Sequence, residues 1–247
     1  MEQSLTGKRV LVTGSSRGIG RAVALDLARC GADVIVHCSA NTSKAEEVSR
    51  EIAAMGRKTQ VVQADLSLPC GADGFIAETG PVDILILNAS VQLARPWAEI
   101  TDAEFDTQIN CNFRSSLKLI QQYAPAMKEK HWGRIVTIGS VQEVKPHPDM
   151  LIYSASKAAQ SNMVRSLASQ LAPFGITVNN VGPGVVNTDR NAKALADPAY
   201  VKHLMSLIPV GFCAEAEDMT GIVRLLCTEE GRYITGQNIY PDGGKSL

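Results

Sequence analysis

Residues 9–20 read Arg-Val-Leu-Val-Thr-Gly-Ser-Ser-Arg-Gly-Ile-Gly. The apolar run Val10-Leu11-Val12 suits a strand buried on both faces, and Thr13 and Gly14 end it. From Gly18 an amphipathic pattern runs to Arg29. Strand, glycine turn and helix in one short stretch open a parallel βαβ unit. Glycines in such a turn permit a tight bend, close approach of backbone to a phosphate, and close helix–strand packing. The helix that follows offers its positive N-terminus to a pyrophosphate.

Working outward, the same alternation repeats. Strands are expected at Arg9–Thr13, Asp33–His37, Thr59–Gln63, Asp83–Asn88, Arg134–Ser140, Thr177–Val181 and Asn238–Tyr240. Helices are expected at Gly18–Arg29, Ser43–Met55, Asp102–Lys128, Leu151–Leu171 and Glu215–Cys227. Several strands are continuous apolar runs, which a parallel sheet covered on both faces requires. The fold class is therefore α/β: a three-layer, Rossmann-like, doubly wound parallel sheet of about seven strands with helices on both faces. No repeat or linker divides residues 1–247, so one dinucleotide-binding domain is expected. Residues 188–210 lack a clear strand and carry Pro198 and Pro209. They read as short helices forming a lid over a substrate.

Composition narrows the function. The chain is 45% hydrophobic but only 5% aromatic, so the core must be aliphatic. A net charge of −1 argues against nucleic-acid binding through many phosphate contacts. The six cysteines and four histidines are scattered without ligand spacing, so no metal is expected and the thiols read as free in a reducing cytosol. No apolar run approaches the ~20 residues of a membrane span, and the N-terminus lacks a signal-peptide core. A cytoplasmic protein that binds neither membrane nor nucleic acid is expected.

In an open parallel sheet, ligands bind beyond the carboxyl ends of the strands. The residues there include Asp65 and Leu66, then Asn88, Ala89 and Ser90, then Ser140. Tyr153 and Lys157 stand four apart on an expected helix and share a face. A nearby ammonium would lower a tyrosine's pKa and make it a usable acid/base at neutral pH. The glycine spacing is G-x-x-x-G-x-G. With Asp65-Leu66, Asn88-Ala89, Asn112, Ser140, Tyr153-x-x-x-Lys157, Val178-Asn179, Pro183-Gly184 and Asp242-Gly243-Gly244, the whole chain resembles the short-chain dehydrogenase/reductase family. Within that family it resembles the compact type, and most of all the 3-oxoacyl-carrier-protein reductases.

The resemblance implies an oxidoreductase that moves a hydride between nicotinamide and a ketone or secondary alcohol. Tyr153 would be the general acid/base, and Ser140 would hydrogen-bond the reacting oxygen. Lys157 would hold the nicotinamide ribose, and Asn112 would support a water in a proton relay. The cofactor would lie along Gly14, Ser16, Arg17, Gly18, Ile19 and Gly20, then Cys38 and Ser39, then Asp65 and Leu66. It would continue past Asn88, Ala89 and Ser90 to Tyr153, Lys157, Pro183, Gly184, Val186 and Thr188. Asp65 is equally readable as a cap. The second strand ends His37-Cys38-Ser39 without the acid that binds a ribose 2′-hydroxyl. Arg17 can reach that corner, with Ser39 and Asn41 adding neutral hydrogen bonds, so NADP(H) is favoured over NAD(H).

Three positions depart from the family pattern. Ser90 stands where glycine is usual, which would cost ~1 kcal/mol if the backbone there needs a positive φ; it could instead line the nicotinamide pocket. The segment from Asp65 to Asp83 is short, with a weak helix, and Phe212 replaces a common arginine. The substrate pocket should draw on Val91, Gln92, Val141, Gln142, His147, Val185 and 187–209, with His147 more simply a loop residue. A thioester-linked substrate on an acidic carrier would want a basic rim, for which Lys128, Lys130, His131 and Arg134 offer charge, though Phe174 offers none. A sugar, polyol or other small-alcohol dehydrogenase is the alternative. A non-catalytic dinucleotide sensor or scaffold is the alternative of another class. The long helices 102–128 and 151–171 carry apolar residues on more than one face, and the resemblance implies that they pack into a homotetramer or homodimer.

Overall fold

The computed structural model describes residues 4–247. Its strands are β1 (Arg9–Val12), β2 (Asp33–Cys38), β3 (Thr59–Gln63), β4 (Ile84–Leu87), β5 (Gly133–Ile138), β6 (Ile176–Val181) and β7 (Asn238–Ile239). Its helices are α1 (Gly18–Arg29), α2 (Thr42–Ala54), α3 (Phe75–Thr79), α4 (Asp102–Ile109), α5 (Ser115–Glu129), α6 (Leu151–Leu171), α7 (Ala192–Leu195), α8 (Pro198–Ser206) and α9 (Thr220–Cys227). The sheet order is β3-β2-β1-β4-β5-β6-β7, with every neighbour parallel. Val12 pairs with Val36 on one side and Ile86 on the other, so the strand order reverses at β1. That reversal opens a crevice beyond the carboxyl ends of β1 and β4.

The two faces explain the continuous apolar runs. Side chains alternate along a strand. Val10, Val12, Val34, Val36, Ile84 and Ile86 pack under α1, α2 and α9. Leu11, Ile35, Leu85, Leu87 and Ile135 pack under α5 and α6. Each fully buried aliphatic side chain contributes roughly 1.5–3 kcal/mol, so little aromatic bulk is needed.

One element departs from its expected form and two others match theirs. The expected helix 102–128 is two helices joined by a π-helical turn, Asn110–Arg114. Thr101 starts α4 with a reciprocal capping box to Glu104. The segment after β3 holds only the five-residue α3. Residues 188–210 carry α7 and α8 and no strand. Among the described residues no helix is long and apolar enough to cross a membrane.

Candidate active site

A cleft of about 730 Å³ runs along the carboxyl ends of the strands. The glycine turn forms its floor at one end. Gly14 and Gly18 have φ of 63° and 55°, which glycine alone adopts without strain. A side chain at Gly14 would sit 2.9 Å from the Cα of Ala89. Thr13 fixes the neighbouring strand end: its hydroxyl accepts from the N–H groups of Asn88 and Ala89 at 2.9 and 3.0 Å. The Asn88 amide donates to the carbonyls of Thr13 and Gly14 at 2.9 and 3.0 Å. Asn88 is polar because it laces β4 to the turn.

His37, at the end of β2, is the other brace. Its Nδ1 accepts from the Gly14 N–H at 2.9 Å, and its Nε2 lies 3.0 Å from the Ala64 carbonyl. The ring is therefore neutral, with the proton on Nε2. Burial pushes its pKa down to about 4, against the Ala64 hydrogen bond and the charge of Asp65. Arg17 caps α1 with its backbone only, and no acidic residue stands in the first turn. Free N–H groups, permissive glycines and the absence of an acid in α1's first turn fit a pyrophosphate.

At the end of β2, Arg17 and Lys44 converge on Asp189, with N···O distances of 3.5 and 3.6 Å. Lys44 was not foreseen. It lies in the first turn of α2 and could have been found from its place just after the strand end. Cys38 and Ser39 line the same corner. Asn41 is less available than its sequence position suggested, because its side-chain oxygen caps α2, accepting from the Lys44 N–H and the Ser43 hydroxyl. Asp65 caps no helix; it holds a turn, one carboxylate oxygen accepting from the N–H and hydroxyl of Ser67 at 2.9 and 2.6 Å. Leu66 is buried beside it and lines the cleft.

At the opposite end stand Ser140 and Tyr153. Ser140 follows β5 in extended conformation and caps the short turn Val141–Glu143. Glu143 anchors it, accepting from the Ser140 N–H at 2.9 Å, the Asn180 amide at 3.0 Å and the Tyr240 hydroxyl at 3.1 Å. Burial, reinforced by Glu143, pushes Tyr240 up to about 12. Tyr153, in the first turn of α6, lines the same end of the cleft as Ser140 and Arg190. Its pKa is raised rather than lowered: burial outweighs the charge of Arg190 and the hydrogen bond from Ser140. The cation that acts on the phenol's titration is Arg190, while the Lys157 ammonium stands 5.9 Å from the centre of the Tyr153 ring. Lys157 donates instead to the Ile138 carbonyl at 2.7 Å and to Gln160 at 3.2 Å. Burial and then Arg190 lower it to about 8.

Asn112 lies in the π turn and is fully buried. Its amide donates to the Val91 carbonyl and the Ser156 hydroxyl at 2.9 and 3.0 Å, and its oxygen accepts from the Val91 N–H at 2.8 Å. It ties the loop after β4 to α6. Asn112, Gly20 and Lys157 sit behind the wall; the other sequence-derived positions, Ser16, Ile19, Ser90, Pro183, Gly184, Val186 and Thr188 among them, face the cleft.

One open alternative closes and one expectation fails. Ser90 carries no backbone strain, since His131 is the only described non-glycine residue with positive φ. Its carbonyl and hydroxyl accept two 2.8 Å hydrogen bonds from Arg190. The residues expected to form a basic rim are not in the cleft lining. Lys128, Lys130, His131 and Arg134 precede or start β5 and so lie at the opposite edge of the sheet. Arg134 is buried and paired with Glu229, and Lys130 is paired with Asp83. Of the expected substrate wall, Val91, Gln92, Val141, Gln142, His147 and Val185 all face the cleft. His147 also caps a turn, accepting from the Asp149 N–H.

A family model for short chain dehydrogenases matches residues 8–199. The 3-oxoacyl-(acyl-carrier-protein) reductase of Staphylococcus aureus is 34% identical over 241 residues, covering 96% of this chain and 97% of the relative. The crystal structure of a 3-oxoacyl (acyl-carrier-protein) reductase from Agrobacterium tumefaciens with NADP bound superposes with a TM-score of 0.93 at 35% identity, covering 98% of this chain and 95% of that one. A gluconate 5-dehydrogenase from Burkholderia cenocepacia, in complex with NADP and tartrate, superposes with a TM-score of 0.91 at 27% identity, covering 99% and 97%.

Proposed function

Because the chain belongs to the short-chain dehydrogenase/reductase family and is an oxidoreductase that uses a nicotinamide dinucleotide, we propose that it reduces a ketone to a secondary alcohol with NADPH. One observation carries this reading: a single cleft runs from the Arg17–Lys44 pair to the Ser140–Tyr153 pair. Two cations at the ribose corner, with no acid at the end of β2, suit a 2′-phosphate and support the assignment of NADP(H) over NAD(H).

When bound, the nicotinamide supplies the hydride. Ser140 donates its hydroxyl hydrogen to the substrate carbonyl oxygen, its own position fixed through Glu143. Tyr153 transfers its proton to that oxygen as charge develops. A phenol whose pKa is raised by burial stays protonated at neutral pH, which suits a general acid in the reductive direction. Lys157 holds a positive charge behind the phenol, and Gly14 to Gly20 with α1 bind the pyrophosphate. Asn112 keeps the Val91 loop against α6, so the wall between the two ends of the cleft holds its shape.

The 3-oxoacyl thioester substrate of the Staphylococcus aureus relative is one reading of the natural ketone. The polar lining from Gln92, Gln142 and His147 favours the other, a small polar ketone or hydroxy compound such as a sugar acid. The chain is proposed to work in the cytoplasm as a homotetramer or homodimer through the faces of α4, α5 and α6, where Phe105 and Leu151 are exposed. The test is cofactor consumption with NADPH and NADH against a panel of 3-oxoacyl thioesters, sugar acids and simple ketones. NADPH-dependent turnover supports the reading. A kcat/KM for NADH equal to or above that for NADPH sinks the cofactor assignment.

A further inference from the structure

Arg190 comes from the segment after β6 and crosses the cleft to a residue 100 positions away in sequence. Its Nη2 donates to both the carbonyl and the hydroxyl of Ser90, at 2.8 Å each. It lines the cleft together with Tyr153, and its charge acts on that phenol. Among the described residues it forms no ion pair. Two acidic side chains face the cleft, and both are engaged elsewhere: Asp65 with Ser67, Asp189 with Arg17 and Lys44. The end of the cleft that holds Ser140 and Tyr153 carries Arg190, Lys145 and Lys245 with no carboxylate side chain among them. A guanidinium held in place beside the reacting groups, and unpaired, is a fork waiting for a planar anion.

We propose that Arg190, positioned by Ser90, is a specificity-determining residue that pairs with a carboxylate of the substrate. The substrate is then a small oxo acid, reduced to a hydroxy acid. Arg190 and Tyr153 line the same end of the cleft, so on this reading the carboxylate sits on the carbon next to the reacting carbon or one further along. A 3-oxoacyl thioester puts a neutral carbonyl at that place. The serine that replaces the family's glycine has a purpose on this reading: its hydroxyl supplies the second acceptor that fixes the guanidinium.

The inference rests on the ketone-reductase reading and narrows it. The experiment measures kcat/KM with NADPH for matched pairs: acetoacetate against methyl acetoacetate, and 2-oxobutyrate against methyl 2-oxobutyrate. Wild type is expected to favour at least one acid over its ester. Arg190→Met should lower that acid-to-ester ratio about 10- to 100-fold, the loss of a charge-assisted pair. Arg190→Lys should recover part of the ratio, and Ser90→Gly should lower it about threefold through KM, a fraction of the full pair. Melting temperatures of the variants show that each is folded. Preference for the esters or for 3-oxoacyl thioesters in wild type overturns this inference and leaves the ketone-reductase reading standing. An unchanged ratio in Arg190→Met does the same. No turnover of any ketone with either cofactor overturns both.

Discussion

The Nδ1 of His37 accepts a hydrogen bond from the backbone N–H of Gly14 at 2.9 Å. A buried imidazole thus holds the first glycine of the turn, and it does so only while neutral. Ser15 adds to the brace: its N–H donates to the His37 carbonyl at 2.9 Å, and its hydroxyl accepts from the His37 N–H at 3.0 Å.

Acid should release this brace. The folded pKa of about 4 lies below the ordinary histidine value of 6.5, so the unfolded chain binds the extra proton first. The stabilisation from neutral His37 is complete above pH 6.5 and is lost as pH falls from 6.5 to about 4. The loss from this one group should approach about 3 kcal/mol. Urea unfolding across that range checks it. His37→Phe should be less stable at pH 7.5 by about 1–3 kcal/mol and should show a flatter pH dependence. A wild-type slope unchanged in the variant would remove His37 from the account.

Tyr153→Phe should lower kcat by roughly 10²–10⁴, the usual worth of a positioned acid. NADPH binding, followed by its fluorescence, should change little, because the phenol lies at the far end of the cleft from Arg17. The phenol is raised above its ordinary pKa, so it does not supply an alkaline limb below pH ~10. Lys157, lowered to about 8, does. A fall in kcat/KM with an apparent pKa near 8 should therefore move upward in Lys157→Arg and persist in any residual activity of Tyr153→Phe. A limb that vanishes with Tyr153→Phe and stays in Lys157→Arg would reverse the assignment.

The contrast between what was legible and what was not follows sequence distance. The glycine turn, the strand ends at Asn88 and Ser140, and the four-residue step from Tyr153 to Lys157 are local patterns, and the chain spells them out. Arg190 finds Ser90, and Glu143 finds Asn180 and Tyr240, only after the sheet has assembled. His37 looked like the tail of a strand because its partners, Gly14 and Ala64, come from two other strand ends. The helix 102–128 reads as continuous because one π turn shifts periodicity too little to register, although such turns gather at functional sites. The place of Lys128 and Lys130 is legible in the chain order: they precede β5, and residues that precede a parallel strand lie at the edge opposite the crevice.

Arg17 and Lys44 should act together on the cofactor's extra phosphate. Arg17→Ala and Lys44→Ala should each raise KM for NADPH by about 5- to 20-fold, a charge-assisted contact in a solvated corner. KM for NADH should shift far less. Asp189 occupies both cations in the protein alone, so Asp189→Asn should lower KM for NADPH. Steady-state kinetics with both cofactors decide it; equal effects on NADH would assign the two cations to the shared pyrophosphate instead.

Glu143 is the residue whose loss should separate position from chemistry. Its carboxylate receives the Ser140 N–H, the Asn180 amide and the Tyr240 hydroxyl. Glutamine keeps the shape but turns one acceptor into a donor facing other donors. A buried donor left unsatisfied costs about 1–3 kcal/mol, so Glu143→Gln should unfold at lower urea. It should also lower kcat about 10-fold, by letting Ser140 drift from the reacting oxygen, because a small misplacement is expensive in a pre-organised site. Ser140→Ala should lower kcat at least as much with little change in stability, since its hydroxyl accepts one hydrogen bond, from the Gln142 N–H at 3.2 Å, apart from its contact with Tyr153. In the double variant the two kinetic losses should not add, because both act through the same hydroxyl. Full additivity would mean that Glu143 serves the sheet and leaves Ser140 alone.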